Sequence, residues 1–404
     1  MEQIKAKIVE EIEKSKKEQV EFLRKLIQTN SINSNMDNPT KSSPYDPIEF
    51  EVAELISEKL KTFGLSPKFV GVSPARPNVV CEFGKGKKTL IFNGHMDTVP
   101  PSSKDDYNPL LGFIRNGKLY GAGALDMKSA LCCYVYMAKA LQKYENGLKG
   151  KICLQFVIDE EPMAASQFGT RYLLEKGYKG DAAIVGEPGT HKITIGNRGG
   201  YRFKIEVLGE SVHTGSREWE QNKKGSNAVL EMKKVIEALQ NFRFNINEHP
   251  IFPNRKNILT FPTLITGGKS INIVPDSCIA FGDTRILPGV TREYMEEKIK
   301  KLIDKLKLKY KFTPIVYVPP KFIKPNETIV KILKKNTKEI LNKVPVVEGS
   351  GPWSDIWMLI EKGIPAVNFG CDGEGMHSTN EYVDIKSVID VTKIYALTAL
   401  DFFN

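Results

Sequence analysis

Apolar positions recur at two different periods along this chain of 404 residues. Helical spacing comes first, over Met1–Gln28 and Glu49–Phe63. Short, nearly continuous apolar runs follow: Leu90-Ile-Phe92, Ile152-Cys-Leu-Gln-Phe-Val-Ile158, Ala182-Ala-Ile-Val185 and, much later, Pro365-Ala-Val-Asn-Phe369. Runs of this length, bounded by turn residues, predict buried strands. Their alternation with helical segments predicts an α/β layer with a mostly parallel central sheet. From Tyr201 the pattern changes. Arg202-Phe-Lys-Ile-Glu-Val-Leu208 alternates with period two, Asn227–Leu239 and Arg292–Leu306 read as amphipathic helices, and Ile258–Ile265, Ser277–Gly282 and Phe312–Val318 read as strands. Two helices with such strands predict an inserted α+β sandwich of ferredoxin-like type. Pro319-Pro320 closes it, and Glu327–Asn342 resumes the α/β pattern. The expected layout is a discontinuous domain, residues 1–198 and 320–404, around an insertion of residues 199–319. Ser31–Pro47 reads as an ordinary polar loop.

The residues just past the strand runs carry the candidate chemistry. His95 and Asp97 follow the Leu90 run, Asp159-Glu160-Glu161 follows Ile158, Gly186-Glu187-Pro188 follows Val185, and His377 lies in a Gly-rich loop after Phe369. Carboxyl ends of strands are where open α/β sheets place their ligands. Asp126 differs, because Ala130, Leu131, Cys133, Tyr134 and Met137 follow it at helical spacing, so it is expected to open a helix as an N-cap. Taken singly, each residue has an ordinary reading: a cap for Asp126, a turn residue for Glu187, a loop histidine for His377, a solvated strand end for Glu160-Glu161. Their coincidence argues otherwise. The chain has five histidines, and two of them fall in this set beside carboxylates. Imidazoles and carboxylates together are the ligand types of a two-metal hydrolytic site.

Composition narrows the alternatives. An apolar content of 41% in 404 residues fills more than one core. The longest apolar stretches fall far short of a membrane span, and Met1-Glu-Gln-Ile-Lys-Ala-Lys7 is too charged for a signal peptide, so a cytoplasmic protein with no membrane partner is expected. The excess of 58 Lys plus Arg over 48 Asp plus Glu lies largely on the solvated faces of amphipathic helices such as Ile299–Lys309. Without an aromatic-interleaved basic motif, no nucleic-acid partner is expected; the charge favours anionic substrates. The six cysteines form no Cys-x-x-Cys pair and read as reduced core residues, with Cys371 a packed loop thiol near His377.

The strings Gly94-His-Met-Asp-Thr-Val-Pro100, Gly121-Ala-Gly-Ala-Leu-Asp-Met-Lys128, Asp159-Glu-Glu161, Val185-Gly-Glu-Pro188, Gly209-Glu-Ser-Val-His213, Gly225-Ser-Asn-Ala228, Asn272-Ile-Val-Pro275, Asp283-Thr-Arg285 and His377-Ser-Thr-Asn-Glu381 span nearly the whole chain. In that order they resemble the dinuclear zinc peptidases and deacylases, the family of acetylornithine deacetylase, succinyl-diaminopimelate desuccinylase, aminoacylase and glutamate carboxypeptidases. The resemblance implies that His95, Asp126 and Glu187 ligate one ion and Asp126, Glu161 and His377 the other. Two Zn2+ per chain would be bound, with Co2+ or Mn2+ as substitutes and a bridging water whose acidity the metals raise. Asp97 resembles the carboxylate that fixes the tautomer and orientation of a ligating imidazole. Glu160 resembles the general base. His213 resembles a donor to the tetrahedral intermediate, delivered by lid closure or, as the resemblance implies, across a homodimer formed by the inserted domain. Arg285 resembles the arginine that grips a substrate carboxylate, with Asn227 a polar neighbour from the same insertion; its plain alternative is a salt bridge to Asp283.

The chain departs from the family pattern in two places. Pro162-Met-Ala-Ala-Ser166 replaces glycines after Glu161, and Gly351-Pro-Trp-Ser-Asp355 replaces a small-Thr-Ser-Asp string. Ser354 is the candidate substrate-binding residue there, while Trp353 and Trp357 either narrow the pocket or pack. The expected activity is hydrolysis of the amide bond of an N-acyl amino acid, acetylornithine and succinyl-diaminopimelate leading, with a di- or tripeptidase as the alternative. A non-catalytic binding protein is the third reading, and retention of every ligand and of Glu160 opposes it.

Overall fold

The His95 strand (Lys88–His95) lies inside the central sheet of the computed structural model, flanked in parallel by Gly150–Val157 on one side and Ala182–Val185 on the other. The structure describes residues 2–34, 43–144, 148–162, 166–245 and 248–404. Residues 35–42 of the expected Ser31–Pro47 loop, and Met163-Ala-Ala165 of the string after Glu161, therefore lie outside the described residues. The sheet continues through Ala366–Asn368, parallel to Ala182–Val185, to Lys192–Asn197, which Val346–Ser350 joins in parallel. On the other side Asn78–Phe83 and Lys68–Val70 add antiparallel edge strands. The parallel strands are buried along almost their whole length because helices cover their faces, which is why they read as continuous apolar runs and not as alternation.

Helix Ser129–Gln142 has no polar face. Its residues from Ala130 to Ala138 are buried, and it packs against Ile385–Phe403, Lys16–Gln28 and Phe50–Thr62, as an all-apolar helix must. The N-terminal helical pattern is two helices, Glu2–Lys14 and Lys16–Gln28, separated at Ser15. All six cysteines are buried and free. No helix among the described residues is long and apolar enough to cross a membrane.

A small antiparallel sheet, absent from the sequence reading, joins Phe113–Arg115, Lys118–Tyr120, Tyr382–Asp384 and Gly373–Glu374. Pairing of Tyr120 with Tyr382 brings the Asp126 segment beside the His377 loop, 255 residues apart at the closest hydrogen bond between them.

By contact the chain divides into two compact units, Met1–Asn197 with Phe322–Asn404, and Arg198–Lys321. The second is a four-stranded antiparallel sheet in the order Ile258–Gly267, Ser277–Ile286, Gly199–Leu208, Tyr310–Val318. Alternate residues Tyr201, Phe203, Ile205 and Val207 face a core shared with Met232, Val235 and Leu239 of helix Ala228–Gln240 and Met295, Ile299 and Ile303 of helix Arg292–Asp304. One buried sheet face with period two is the rule for an antiparallel sheet covered on one side.

Candidate metal centre

Strand register sets the site. His95 ends its strand opposite Val157, so Glu160 and Glu161 follow three and four residues past that level. Asn93 pairs with Val185, so Glu187, two residues on, reaches the level of His95. Three neighbouring parallel strands thus deliver an imidazole and three carboxylates to one edge of the sheet.

Asp126 joins them from a different kind of backbone. The expected N-cap is not formed: the helix starts at Ser129, and Asp126 has extended angles, φ −116 and ψ 94, with a cis peptide bond to Met127. The physical reason is that both its oxygens face imidazoles. Oδ1 is 3.2 Å from His95 Nε2, and Oδ2 is 3.1 Å from His377 Nε2. His377 Nε2 is also 3.3 Å from Glu161 Oε2. Two triads result, His95–Asp126–Glu187 and Asp126–Glu161–His377, each with ligand atoms within 4.8 Å of one another and with Asp126 in both.

The cluster concentrates buried negative charge. Burial drives the Glu160 and Glu187 carboxyls well above the usual range and raises Glu161, with neighbouring carboxylates adding to the effect. Hydrogen bonds to Asp126 and Glu161 push His377 up to about 11. For His95, burial opposes protonation but the Asp126 hydrogen bond and nearby carboxylates prevail and raise it well above its ordinary value. Among the described residues no lysine or arginine pairs with Asp126, Glu160, Glu161 or Glu187; the two imidazoles are the positive groups that meet Asp126 and Glu161. Buried carboxylates without counter-charge are costly, and divalent cations in the two triads would supply it. The donor set, imidazole nitrogen and carboxylate oxygen, fits such ions.

Asp97 differs from the expectation. The His95 ring is oriented by the Asp97 main-chain carbonyl, 2.9 Å from Nδ1, while the carboxylate lies at 3.7 Å. That carboxylate instead accepts the main-chain N–H groups of Glu160 and Glu161 and the Asn33 side-chain amide. The reason is geometric: the chain turns after His95 so that the carbonyl, and not the side chain, meets the ring.

The remaining candidates divide between the units. Ser354 is buried in the first and accepts a hydrogen bond from Asn368 Nδ2 at 2.8 Å. Trp357 packs in the core beneath Arg171. His213, Asn227 and Arg285 belong to the second unit. Asn227 caps helix Ala228–Gln240, its Oδ1 accepting from Val229 and Leu230, so that oxygen is engaged locally. Arg285 Nε donates to Asp283 Oδ2 at 2.9 Å, and Arg202 Nε donates to the other oxygen. His213 is exposed; its Nδ1 accepts the Gly215 N–H and its Nε2 faces the Asn272 amide.

Several residues of the site escaped the sequence reading. Glu49 and Arg76, both fully buried, form a bidentate pair at 2.5 and 2.6 Å, and Glu49 also accepts the Asp159 N–H. No local pattern marks either. Asp355, pushed up to about 6 by burial, accepts from Thr170 and Ser166. Glu381 holds the Asp126 segment; its only sequence signal was its place in the His377–Glu381 string.

Comparison with known proteins agrees with this geometry. The family described as Peptidase family M20/M25/M40 matches residues 91–401. The chain is 30% identical over 333 residues to a succinyl-diaminopimelate desuccinylase of Rickettsia akari (strain Hartford), covering 79% of this chain and 84% of that one. A di-peptidase from Saccharomyces cerevisiae shares the fold, with a TM-score of 0.77, 18% identity and coverage of 99% and 98% of the two chains. So does a dinuclear metal binding peptidase from Bacillus subtilis, with a TM-score of 0.70, 17% identity and coverage of 97% and 99%. The chain belongs to peptidase family M20/M25/M40 and is a hydrolase of that metal-dependent peptidase and deacylase family.

Proposed function

We propose that this chain hydrolyses the amide bond of an N-acyl amino acid bearing a free carboxylate, using two Zn2+ ions held by His95, Asp126 and Glu187 and by Asp126, Glu161 and His377. The observation that carries the reading is the sharing of Asp126 between two triads. When bound, such ions polarise a carbonyl and make a water more acidic. Glu160 is the base. It is buried, directly precedes Glu161 in the chain and is held by the bond from its N–H to Asp97. Burial raises its proton affinity, so a carboxylate oxygen can take a proton from water and return it to the leaving nitrogen. Arg285 would grip the substrate carboxylate, its planar guanidinium matching two oxygens. His213 would donate to the developing oxyanion through Nε2, since Nδ1 already accepts from Gly215. Ser354 would line the acyl side.

A second copy of the chain would cover the second unit's edge strand, Ile258–Gly267, and bring His213 into its neighbour's site. The strand is ten residues long and exposes Leu264 and Ile265, with Leu230 and Ile271 exposed in the same unit. Long apolar edges of this kind are normally paired or covered.

The desuccinylase relative supports an N-acyl amino acid over a dipeptide. Metal-loaded protein assayed on N-succinyl and N-acetyl amino acids and on dipeptides, with free amine as the readout, tests it. Faster turnover of the acyl amino acids is expected; turnover confined to dipeptides would make the chain a dipeptidase, the reading that the yeast fold neighbour offers.

A further inference from the structure

Glu381 joins the two loops that carry Asp126 and His377. The residue is 8% exposed, and its carboxylate accepts three main-chain N–H groups: Gly123 donates to Oε2 at 3.0 Å, and Leu125 and Asp126 donate to Oε1 at 2.8 and 2.9 Å. Its main-chain carbonyl accepts the Gly121 N–H at 3.0 Å and the Tyr107 hydroxyl at 2.9 Å. The segment from Gly121 to Asp126 is thus bound to one residue through four of its amides.

This arrangement holds the backbone on both sides of Asp126. Buried main-chain N–H groups need an acceptor, and for Gly123, Leu125 and Asp126 it is Glu381. Asp126 has extended angles there, and its own oxygens face His95 and His377. Glu381 stands four residues after His377, immediately before the strand Tyr382–Asp384 that pairs with Lys118–Tyr120. One side chain therefore sets where the shared ligand and the loop of a second ligand stand relative to each other.

We propose that Glu381 is a positioning residue for both ions, acting through the main chain of Asp126 and not by ligation; the inference rests on the two-ion reading of the site. Glu381→Gln keeps the size but turns an amide N–H2 against main-chain donors. The full-length protein is stripped with a chelator and titrated with Zn2+ against a chromophoric competitor, and with Co2+ by its visible absorption. Wild type is expected to take two ions. Glu381→Gln is expected to bind both about 10–100-fold more weakly, the usual cost of losing a group that orients ligands, with an altered Co2+ spectrum. Glu381→Asp, which keeps the charge, is expected to fall between the two. A purely structural role would lower the melting temperature of the metal-free chain and leave affinity and spectrum in the folded protein unchanged; that result overturns the proposal, as does a loss confined to one ion. If Glu381→Gln does not fold, Glu381→Asp carries the test, and wild-type affinity for both ions in that variant overturns it. Failure of the wild type itself to bind two ions would remove the two-ion reading instead, which keeps the two failures distinct.

Discussion

The Asp97 carboxylate accepts the main-chain N–H of Glu160 at 3.2 Å, so the residue two positions past His95 holds the turn that carries Glu160, the proposed base. The neighbouring Glu161 N–H binds the other oxygen, also at 3.2 Å. Asp97→Asn leaves the carbonyl on the His95 ring in place but sets an amide N–H2 against one of these donors. We expect kcat to fall by about 10–100-fold while both ions are retained, on the scale of losing a group that orients an active-site residue. Loss of one ion from the variant would return Asp97 to the role of orienting His95.

Glu160→Gln removes the proposed proton acceptor and preserves the shape of the turn. Metal content is expected to match wild type while kcat falls by about 10²–10⁴-fold, the usual contribution of a positioned base. A variant of wild-type rate would show that another group takes the proton.

Much of this site was legible in the sequence because strand ends are local. The apolar runs ending at His95, Ile158 and Val185 are short and bounded, so the residues after them could be placed at one sheet edge. Asp126 was misread as a cap because the groups that hold it come from far along the chain: His377 faces its Oδ2, and Glu381, 255 residues away in sequence, accepts its N–H. The Glu49–Arg76 pair left no trace for the same reason: two charged residues in polar surroundings give no period, and only the fold shows that both are fully buried. Strands of three residues, such as Lys118–Tyr120 and Tyr382–Asp384, are too short to show alternation. Asn227 carried a readable signal, an Asn directly before a helical pattern, and its capping geometry is what that signal specifies.

Asn227→Ala separates these two roles. Loss of the cap is expected to destabilise the protein by about 0.5–2 kcal/mol in denaturant unfolding, with kcat/KM at the wild-type value. A fall in kcat/KM at unchanged stability would restore Asn227 to the substrate site.

Arg285→Ala tests recognition of the carboxylate. Its pairing with Asp283 does not prevent the fork from meeting a second anion, since a guanidinium carries five donors. KM is expected to rise for the free acid far more than for the corresponding amide. Equal losses on both would leave Arg285 as the partner of Asp283 alone.

The central claim is that Asp126 stands between two ions. Anomalous diffraction at the zinc edge, on crystals of the active protein, locates them directly. Two peaks are expected, one against His95, Asp126 and Glu187 and the other against Asp126, Glu161 and His377. A single peak, or none, in crystals whose dissolved protein is active would contradict it.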